Sequence, residues 1–316
     1  KSSERLRITA QLIDAITGYH IWSEHYDREL KDVFAIQDSI SLEILKALDV
    51  KLRRGETLGK SPDNLEAYFK LLQASDFLYQ FNKESNMQAR KLTEDAIRLD
   101  PQFAGAYYGL AAITMMDVML GISKSPKESR MMAIELCQKA TSLDDTLAGA
   151  YGLLGYLYVQ IGEYEEGVKA GERAIEVGPS SAEAHSLFAQ VLNFSGRAQE
   201  AIALNEKAFR LNPVGPTTYY YTHASFSYIL TGRYEDAVRI TRQELSRSPN
   251  NVLAHARLVW ALSSGGHDEE ASAAAQDLLR IDPKFSAKRL ASVLAFKDPS
   301  VATRYLEHML KAGLPE

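Results

Sequence analysis

The sequence predicts a mainly α protein: a solenoid of stacked antiparallel helix pairs, preceded by a short β-hairpin and one helix. A unit of about 34 residues recurs, because Pro179 and Pro213 lie 34 positions apart, as do Pro249 and Pro283. Each unit holds two amphipathic stretches separated by a short turn, which is the pattern of a helix pair. The alternation typical of strands is found only near the start of the chain.

Composition narrows the function classes. The chain has 316 residues, 46% hydrophobic and 24% charged, with a formal charge of -5. This acidic balance argues against a nucleic-acid partner, which needs clustered Lys and Arg. The single cysteine, Cys137, excludes an internal disulfide and a zinc site made only of thiolates. No apolar run approaches the roughly 18 residues of a membrane span, and no signal peptide is recognisable.

The first element is the hairpin. Residues 5–30 read RLRITAQLIDAITGYHIWSEHYDREL, with apolar residues alternating along both halves and a turn at Thr17-Gly18. Asp32 is predicted to cap a helix whose apolar stripe covers one face of the hairpin. That stripe consists of Ile36, Ile40, Ile44 and Leu48. A lone hairpin is marginally stable, so we expect its free edge to pair with a second copy, which would give a homodimer.

The repeated units follow. The clearest unit carries large, small and proline residues at fixed spacing: Tyr151, Leu154, Gly155, Tyr158, Gly167, Ala174 and Pro179. The next unit repeats them: His185, Phe188, Ala189, Leu192, Ala201, Ala208 and Pro213. A looser copy is His255, Leu258, Val259, Leu262, Ala271, Leu278 and Pro283. This pattern resembles the tetratricopeptide repeat (TPR) family, which implies a right-handed superhelix of helix pairs and binding to proteins or peptides.

Small residues in these units predict close helix packing. Gly155 or Ala189 lets one helix approach its partner, and Gly167 and Gly171 lie inside a helix, where glycine is unfavourable unless another backbone is close. The prolines are expected to stop each second helix.

Degenerate units flank the clear ones. Residues 65–101 form one; residues 107–145 form another, lengthened around DVMLGISKSPK; and residues 213–249 are longer by two at a Pro-Val-Gly-Pro turn. We therefore predict about six repeats over residues 65–285, and two helices in residues 286–316 that cap the last repeat.

The amino-terminal stretch resembles the end of the TolB amino-terminal domain. The resemblance rests on the residues of the hairpin and on DVFAIQDSISLEILKAL after it. It implies an α/β remnant at 1–54 and a linker at 55–64. Such domains precede repeats in bacterial class III adenylate/guanylate cyclases and in membrane-bound transcriptional regulators. The chain opens without methionine and ends in KAGLPE, so we expect a portion of a longer protein that includes its natural carboxy terminus.

No familiar catalytic or metal-binding set is recognisable, and no cofactor is predicted. The stretch from Gly55 to Ser61 has three residues between its glycines, where a phosphate-binding loop needs four. His185 and His255 fill the large-residue position of their repeats and are predicted to be packed. His20 and His25 would lie on opposite faces of a strand, which makes them a poor metal pair.

The predicted site is the concave surface formed by the first helix of each repeat. Helical spacing predicts that nine residues line it: Tyr108, Met115, Tyr156, Val159, Gln190, Asn193, Tyr219, Phe226 and Trp260. Apolar surface with the amides of Gln190 and Asn193 suits a peptide or a helix as ligand. Lysine and arginine are absent from these positions, so a basic clamp for an acidic tail is not expected.

Three functional hypotheses remain open. The first is a non-catalytic sensory or scaffolding segment of a cyclase-type signalling protein. The second is the periplasmic part of a membrane-bound winged-helix regulator, and the third is a hydrolase with an unfamiliar site in the groove. In either of the first two, the segment would be a cytoplasmic or periplasmic part of a membrane-tethered bacterial protein.

Overall fold

The computed structural model describes residues 5–13, 20–29, 64–78, 80–213 and 218–316. The chain divides into two compact units, Lys1–Glu56 and Thr57–Glu316. The predicted helix that begins at Asp32, the turn at Thr17-Gly18 and the Pro-Val-Gly-Pro turn after Pro213 lie outside the described residues, wholly or in part. No helix in the described ranges combines the length and apolarity that crossing a membrane requires.

The amino-terminal unit contains the predicted hairpin. Strands β1 (Arg5–Ile13) and β2 (His20–Glu29) pair antiparallel, with Arg5 opposite Glu29 and Thr9 opposite His25. Thr9 Oγ1 and His25 Nδ1 are hydrogen-bonded at 2.9 Å across this pair. The register shifts between Leu12 and Ile13. In the residues described, this sheet has two strands.

The second unit is helical, as predicted. Its first six helices are α1 (Leu65–Leu78), α2 (Lys83–Leu99), α3 (Ala104–Met119), α4 (Pro126–Leu143), α5 (Ala148–Gln160) and α6 (Tyr164–Val177). The next six are α7 (Ala182–Phe194), α8 (Ala198–Leu211), α9 (Thr218–Leu230), α10 (Tyr234–Arg247), α11 (Val252–Ser264) and α12 (Asp268–Ile281). The last two are α13 (Ala287–Val293) and α14 (Ser300–Lys311). The mainly α fold class is therefore confirmed.

The helices form an inner and an outer layer. In each of six pairs from α1/α2 to α11/α12, the two helices pack on each other, and in the first five the second helix also packs on the first helix of the next pair. The first helices α1, α3, α5, α7, α9 and α11 pack on one another in that order. They are the more apolar set. In α7, for example, every residue except Glu183 is buried.

Glycines occupy the turns inside the pairs, and prolines follow the second helices as the sequence predicts. Gly162, Gly196, Gly232 and Gly266 have positive φ in the turn inside four successive pairs, where a side chain would be strained. The prolines stand two residues beyond the second helices. Pro179, for instance, follows α6, which ends at Val177, and Pro283 follows α12, which ends at Ile281.

The prediction of close packing at glycines is confirmed. A Cβ on Gly155 would lie 2.7 Å from the carbonyl oxygen of Gly167, and one on Gly167 would lie 2.8 Å from that of Gly155. The backbones of α5 and α6 therefore touch here. A Cβ on Gly171 would lie 2.8 Å from Cε2 of Phe188 in the next pair. These contacts explain why glycine is tolerated inside α6 despite its low helix propensity.

The carboxy-terminal residues do more than cap the last pair. Helix α14 packs on α11, as a terminal helix should, but α13 packs against α3, across the four pairs that lie between them. The chain then runs back through residues 294–298 to α14. Residues 286–298 are called the return segment below. Its apolar residues Val293, Leu294 and Phe296 are all buried, which accounts for its retention on the inner layer.

Candidate partner-binding groove

The nine residues predicted to line the groove fall into different environments. Val159 is fully buried against Gly167 of the paired helix, and Met115 is buried in the main core. Gln190 and Asn193 are also buried. The amide of Asn193 is used inside the stack: Nδ2 donates to the carbonyl oxygen of His223 at 2.9 Å, and Oδ1 accepts from the Ser227 hydroxyl at 2.8 Å. This corrects the expectation that the Asn193 amide faces a bound backbone, because the side chain instead joins α7 to α9.

Two predicted tyrosines meet at a carboxylate. Glu183 Oε1 accepts hydrogen bonds from Tyr108 Oη at 2.5 Å and from Tyr219 Oη at 3.0 Å. The three residues belong to α7, α3 and α9, so the contact spans several first helices. Gly149 on α5 makes room for it, since a Cβ there would be 2.7 Å from Glu183 Oε2. Glu183 was not among the predicted groove residues, although it is the acidic residue in the first turn of α7.

Two of the remaining predicted aromatic residues, Phe226 and Trp260, lie beside one ring of the return segment. Phe296 stacks on Phe194, with ring centroids 4.4 Å apart and planes 5° apart. Phe226 and Trp260 lie 6.1 and 6.5 Å from the Phe296 ring. Tyr156 packs edge-on against Phe194 at 5.6 Å. We call Phe194, Phe226 and Trp260 the aromatic pocket.

The pocket collects side chains that are far apart in the sequence. Phe194 lies one helical turn beyond Gln190 on α7, so helical spacing could have identified it. Phe296 follows the end of α13 in a stretch without periodicity, so no sequence pattern predicted that it fills the pocket. Phe226 and Trp260 are 6% and 3% exposed with Phe296 in place. In the structure, the chain itself therefore occupies this part of the inner surface.

Backbone groups of the return segment are also bound. The amide nitrogen of Lys297 donates to the carbonyl oxygen of Phe194 at 2.8 Å. Tyr164 Oη donates to the carbonyl oxygen of Ala295, and Arg130 Nη2 to that of Val293, both at 3.4 Å. At the other end, Arg289 Nη1 donates to the carbonyl oxygen of Met119 at 3.2 Å. Contacts therefore extend from the carboxy end of α3 to α7.

Burial changes the protonation behaviour around the segment. It lowers the pKa of the Arg130 guanidinium and raises the pKa of the Tyr156 hydroxyl. It also raises the pKa of the Cys137 thiol, which is fully buried and suited to packing rather than reaction. In the described residues, no group of three His, Cys, Asp or Glu side chains is arranged to hold a metal ion.

A second concavity lies between α8, α9 and α10. It has a volume of about 480 Å³ and an aromatic lining that includes Phe209, Tyr221 and Tyr228, with Arg210 and Arg239 beside them. None of the nine predicted groove residues lines it. It is therefore a separate feature from the surface that the return segment covers.

Comparison with known proteins agrees with this architecture. A family model described as tetratricopeptide repeat matches residues 153–216. The crystal structure of the APC/C hetero-tetramer Cut9–Hcn1 superposes with a TM-score of 0.52 at 16% identity, over 78% of this chain and 46% of that chain. The fold is a TPR solenoid. A TPR protein of Thermus thermophilus gives a TM-score of 0.48 at 22% identity, over 62% of this chain and 98% of that one.

One relative found by sequence comparison is named as an adenylate cyclase. The protein named "Putative adenylate cyclase 3" of Rhizobium meliloti (strain 1021) is 39% identical over 120 residues. Those residues are 37% of this chain and 20% of the relative. The match thus spans a fifth of the relative's length.

Proposed function

We propose that this TPR chain is a non-catalytic protein-binding scaffold that serves as the regulatory or sensory part of an adenylate/guanylate cyclase-type signalling protein. The observation that carries the proposal is a surface made by first helices together with the starts of α4 and α6, on which an extended polypeptide already lies. Its backbone carbonyls accept hydrogen bonds from Tyr164 and Arg130, and its phenylalanine fills the aromatic pocket. A surface that holds one extended segment in this way suits another of similar chemistry.

The cyclase assignment draws on the Rhizobium relative and on the amino-terminal hairpin. Identity of 39% over 120 residues supports a related module in a signalling protein of that kind. In this proposal the hairpin unit is the end of a TolB-like domain, which follows a catalytic domain in the complete protein. The repeats then receive the partner, and the bound state is passed to the catalytic domain.

The binding proposal is tested by capture with matched variants of the full chain. Glu183→Lys reverses a charge on the inner layer, where Tyr108 and Tyr219 meet. Glu172→Lys makes the same change at an exposed position of α6. Proteins crosslinked to each variant in the source cell are quantified by mass spectrometry, and the main candidate is purified and titrated by calorimetry. We expect Glu183→Lys to weaken binding at least tenfold and Glu172→Lys to bind like the wild type. Equal binding by both variants contradicts an inner-surface site.

The hairpin is proposed as a contact between copies. Among the described residues, β1 pairs only with β2, so each strand has one side that is not paired within this sheet. Unpaired edges favour strand addition, and a second copy supplies a matching strand. Sedimentation velocity across micromolar concentrations should show a monomer–dimer equilibrium, and deletion of residues 1–29 should abolish it. A monomer throughout that range rules out this contact.

A further inference from the structure

The return segment has the features of a bound peptide. Helix α13 ends at Val293, and Leu294 has extended backbone angles, φ -87° and ψ 101°. From there to Phe296 the chain is in neither helix nor strand. Backbone groups of Val293, Ala295 and Lys297 are hydrogen-bonded to the repeats. A segment that is extended, bound through its backbone and anchored by alternate side chains is recognised in the manner of a peptide ligand.

Its anchor is the Phe296 ring. Stacking on Phe194 at 4.4 Å, together with Phe226 and Trp260 nearby, leaves Phe296 only 7% exposed. Buried aromatic anchors of this kind dominate the affinity of most interfaces. The pocket is therefore shaped for one aromatic ring.

The next residue is selected by charge. Lys297 Nζ lies 3.1 Å from Glu165 Oε1 and 5.7 Å from the centre of the Tyr164 ring. Both groups favour a cation at this place, although the pair is exposed and contributes little affinity. The Glu165 carboxylate therefore contributes to specificity, because it would repel an acidic residue at the position of Lys297.

The fit of the resident segment is incomplete. Gln160 is 4% exposed, yet neither Nε2 nor Oε1 has a hydrogen-bond partner in the described residues. It lies one helical turn beyond Tyr156, which packs on Phe194. Arg130, which binds the Val293 carbonyl, has an unpaired Nε. Buried polar groups normally find partners, so these two side chains have hydrogen-bonding capacity that the resident segment leaves unused.

We infer that the aromatic pocket recognises an extended partner segment that carries phenylalanine followed by a basic residue. In the free protein, residues 293–297 of the chain itself occupy this pocket, and such a partner displaces them. This inference rests on the proposed function and adds the chemistry of the partner. The unpaired Nε of Arg130, beside the bound carbonyl of Val293, offers the partner a hydrogen bond that the resident segment does not make, which favours the exchange. Binding is then coupled to release of α13 from α3.

Competition by the resident segment determines the design of the experiment. A tethered ligand acts at an effective concentration of about millimolar, so it masks a free peptide of similar affinity. The full chain with Phe296→Ala keeps the repeats and empties the pocket. The probe is a fluorescent peptide with the sequence SVLAFKDP of residues 292–299. Two control peptides replace its phenylalanine by alanine or its lysine by glutamate.

Binding is measured by fluorescence anisotropy. We expect Phe296→Ala to bind SVLAFKDP at least tenfold more tightly than the wild type does, and the alanine peptide at least tenfold more weakly than SVLAFKDP. The glutamate peptide should bind a few-fold more weakly than SVLAFKDP. Equal affinity for the phenylalanine and alanine peptides, or no binding of either, overturns the inference.

Two further controls separate the possible failures. Circular dichroism checks that Phe296→Ala is folded, and if it is not, Phe296→Leu is used with the same peptides and the same criteria. Failure of the peptide assay together with loss of partner binding in Glu183→Lys leaves the scaffold proposal standing and removes only the pocket assignment. Equal partner binding by the Glu183 and Glu172 variants removes the scaffold proposal instead.

Discussion

The paired helices and the return segment are held on the protein by different kinds of contact. Within the stack, backbones touch at Gly155 and Gly167, and a buried ion pair joins α10 to α11. The return segment instead is held by the buried side chains of Val293, Leu294 and Phe296, by separate hydrogen bonds of 2.8 to 3.4 Å and by an exposed ion pair. The stack is therefore intolerant of change, whereas the return segment is suited to exchange.

This difference follows from the distance along the chain. Contacts in the stack join neighbouring units, so they form without closing a long loop. The return segment joins Lys297 to Glu165 and Arg289 to Met119, more than a hundred positions away.

The largest effect is expected from the buried ion pair of the stack. Arg257 Nη2 donates to both carboxylate oxygens of Glu244, at 2.7 and 2.6 Å, and the side chains are 6% and 0% exposed. Arg257→Met leaves a buried carboxylate without its cation, so we expect a loss of about 3–5 kcal/mol in the free energy of unfolding. Urea denaturation measures it. The double variant with Glu244→Leu should recover at least half of the loss, and a double variant as unstable as Arg257→Met contradicts the explanation.

A close helix contact should come next. Gly171→Ala places a Cβ 2.8 Å from Cε2 of Phe188 and closer still to Cδ2. The buried ring has little room to move, so we expect destabilisation of about 3 kcal/mol. Glu172→Ala, at the exposed neighbouring position of α6, is the matched control and should stay within about 0.5 kcal/mol of the wild type. Similar unfolding midpoints for the two variants are inconsistent with tight packing at Gly171.

Acid should weaken the seam between α7 and α9. His223 Nδ1 is hydrogen-bonded to Ser186 Oγ at 2.8 Å, and burial lowers the pKa of His223 from 6.5 to about 3, with a smaller effect from the Arg257 charge. As the pH falls, His223 is therefore protonated at a higher pH in the unfolded chain than in the folded chain. The stability from the neutral imidazole is complete above pH 6.5 and declines as pH falls toward 3.

The expected decline is about 1.4 kcal/mol per pH unit, hence about 2 kcal/mol between about pH 6.5 and pH 5. Urea denaturation at several pH values measures it for the wild type and for His223→Gln, which cannot be protonated. The difference between the two slopes isolates His223 from other titrating groups. If the free energy of unfolding changes with pH in the same way for the wild type and for His223→Gln, the prediction is wrong.

The smallest effect is expected at the exposed ion pair of the return segment. Lys297→Ala removes the contacts with Glu165 and with the Tyr164 ring, and both charged side chains are at least half exposed. We expect a change of about 0.2–1 kcal/mol that vanishes at high salt. Thermal unfolding at low and high salt checks it, with Lys284→Ala as an exposed control. A loss comparable with that of Gly171→Ala would erase the contrast between the two regions.

Much of the stack was predictable because its rules are local. Proline stops, turn glycines and the touching glycines of α5 and α6 depend on residues within one unit, so a repeating pattern reveals them. The two strands of the hairpin follow from their alternation, whereas the register was not predicted. Placement of the groove residues was less predictable, because a helix face next to another repeat and a face open to a ligand carry the same apolar pattern. Val159 and Asn193 belong to the first kind.

The amino-acid sequence by itself determined the helix pairs, their 34-residue period, the short hairpin and the absence of a recognisable catalytic motif. Only the tertiary structure decided that Phe296 fills the aromatic pocket, that Glu183 binds two tyrosines and that α13 packs on α3. The physical reason is that periodic burial encodes contacts between near neighbours. A contact across four repeats depends on the total rotation that accumulates from one unit to the next. No short pattern in the sequence specifies that total rotation.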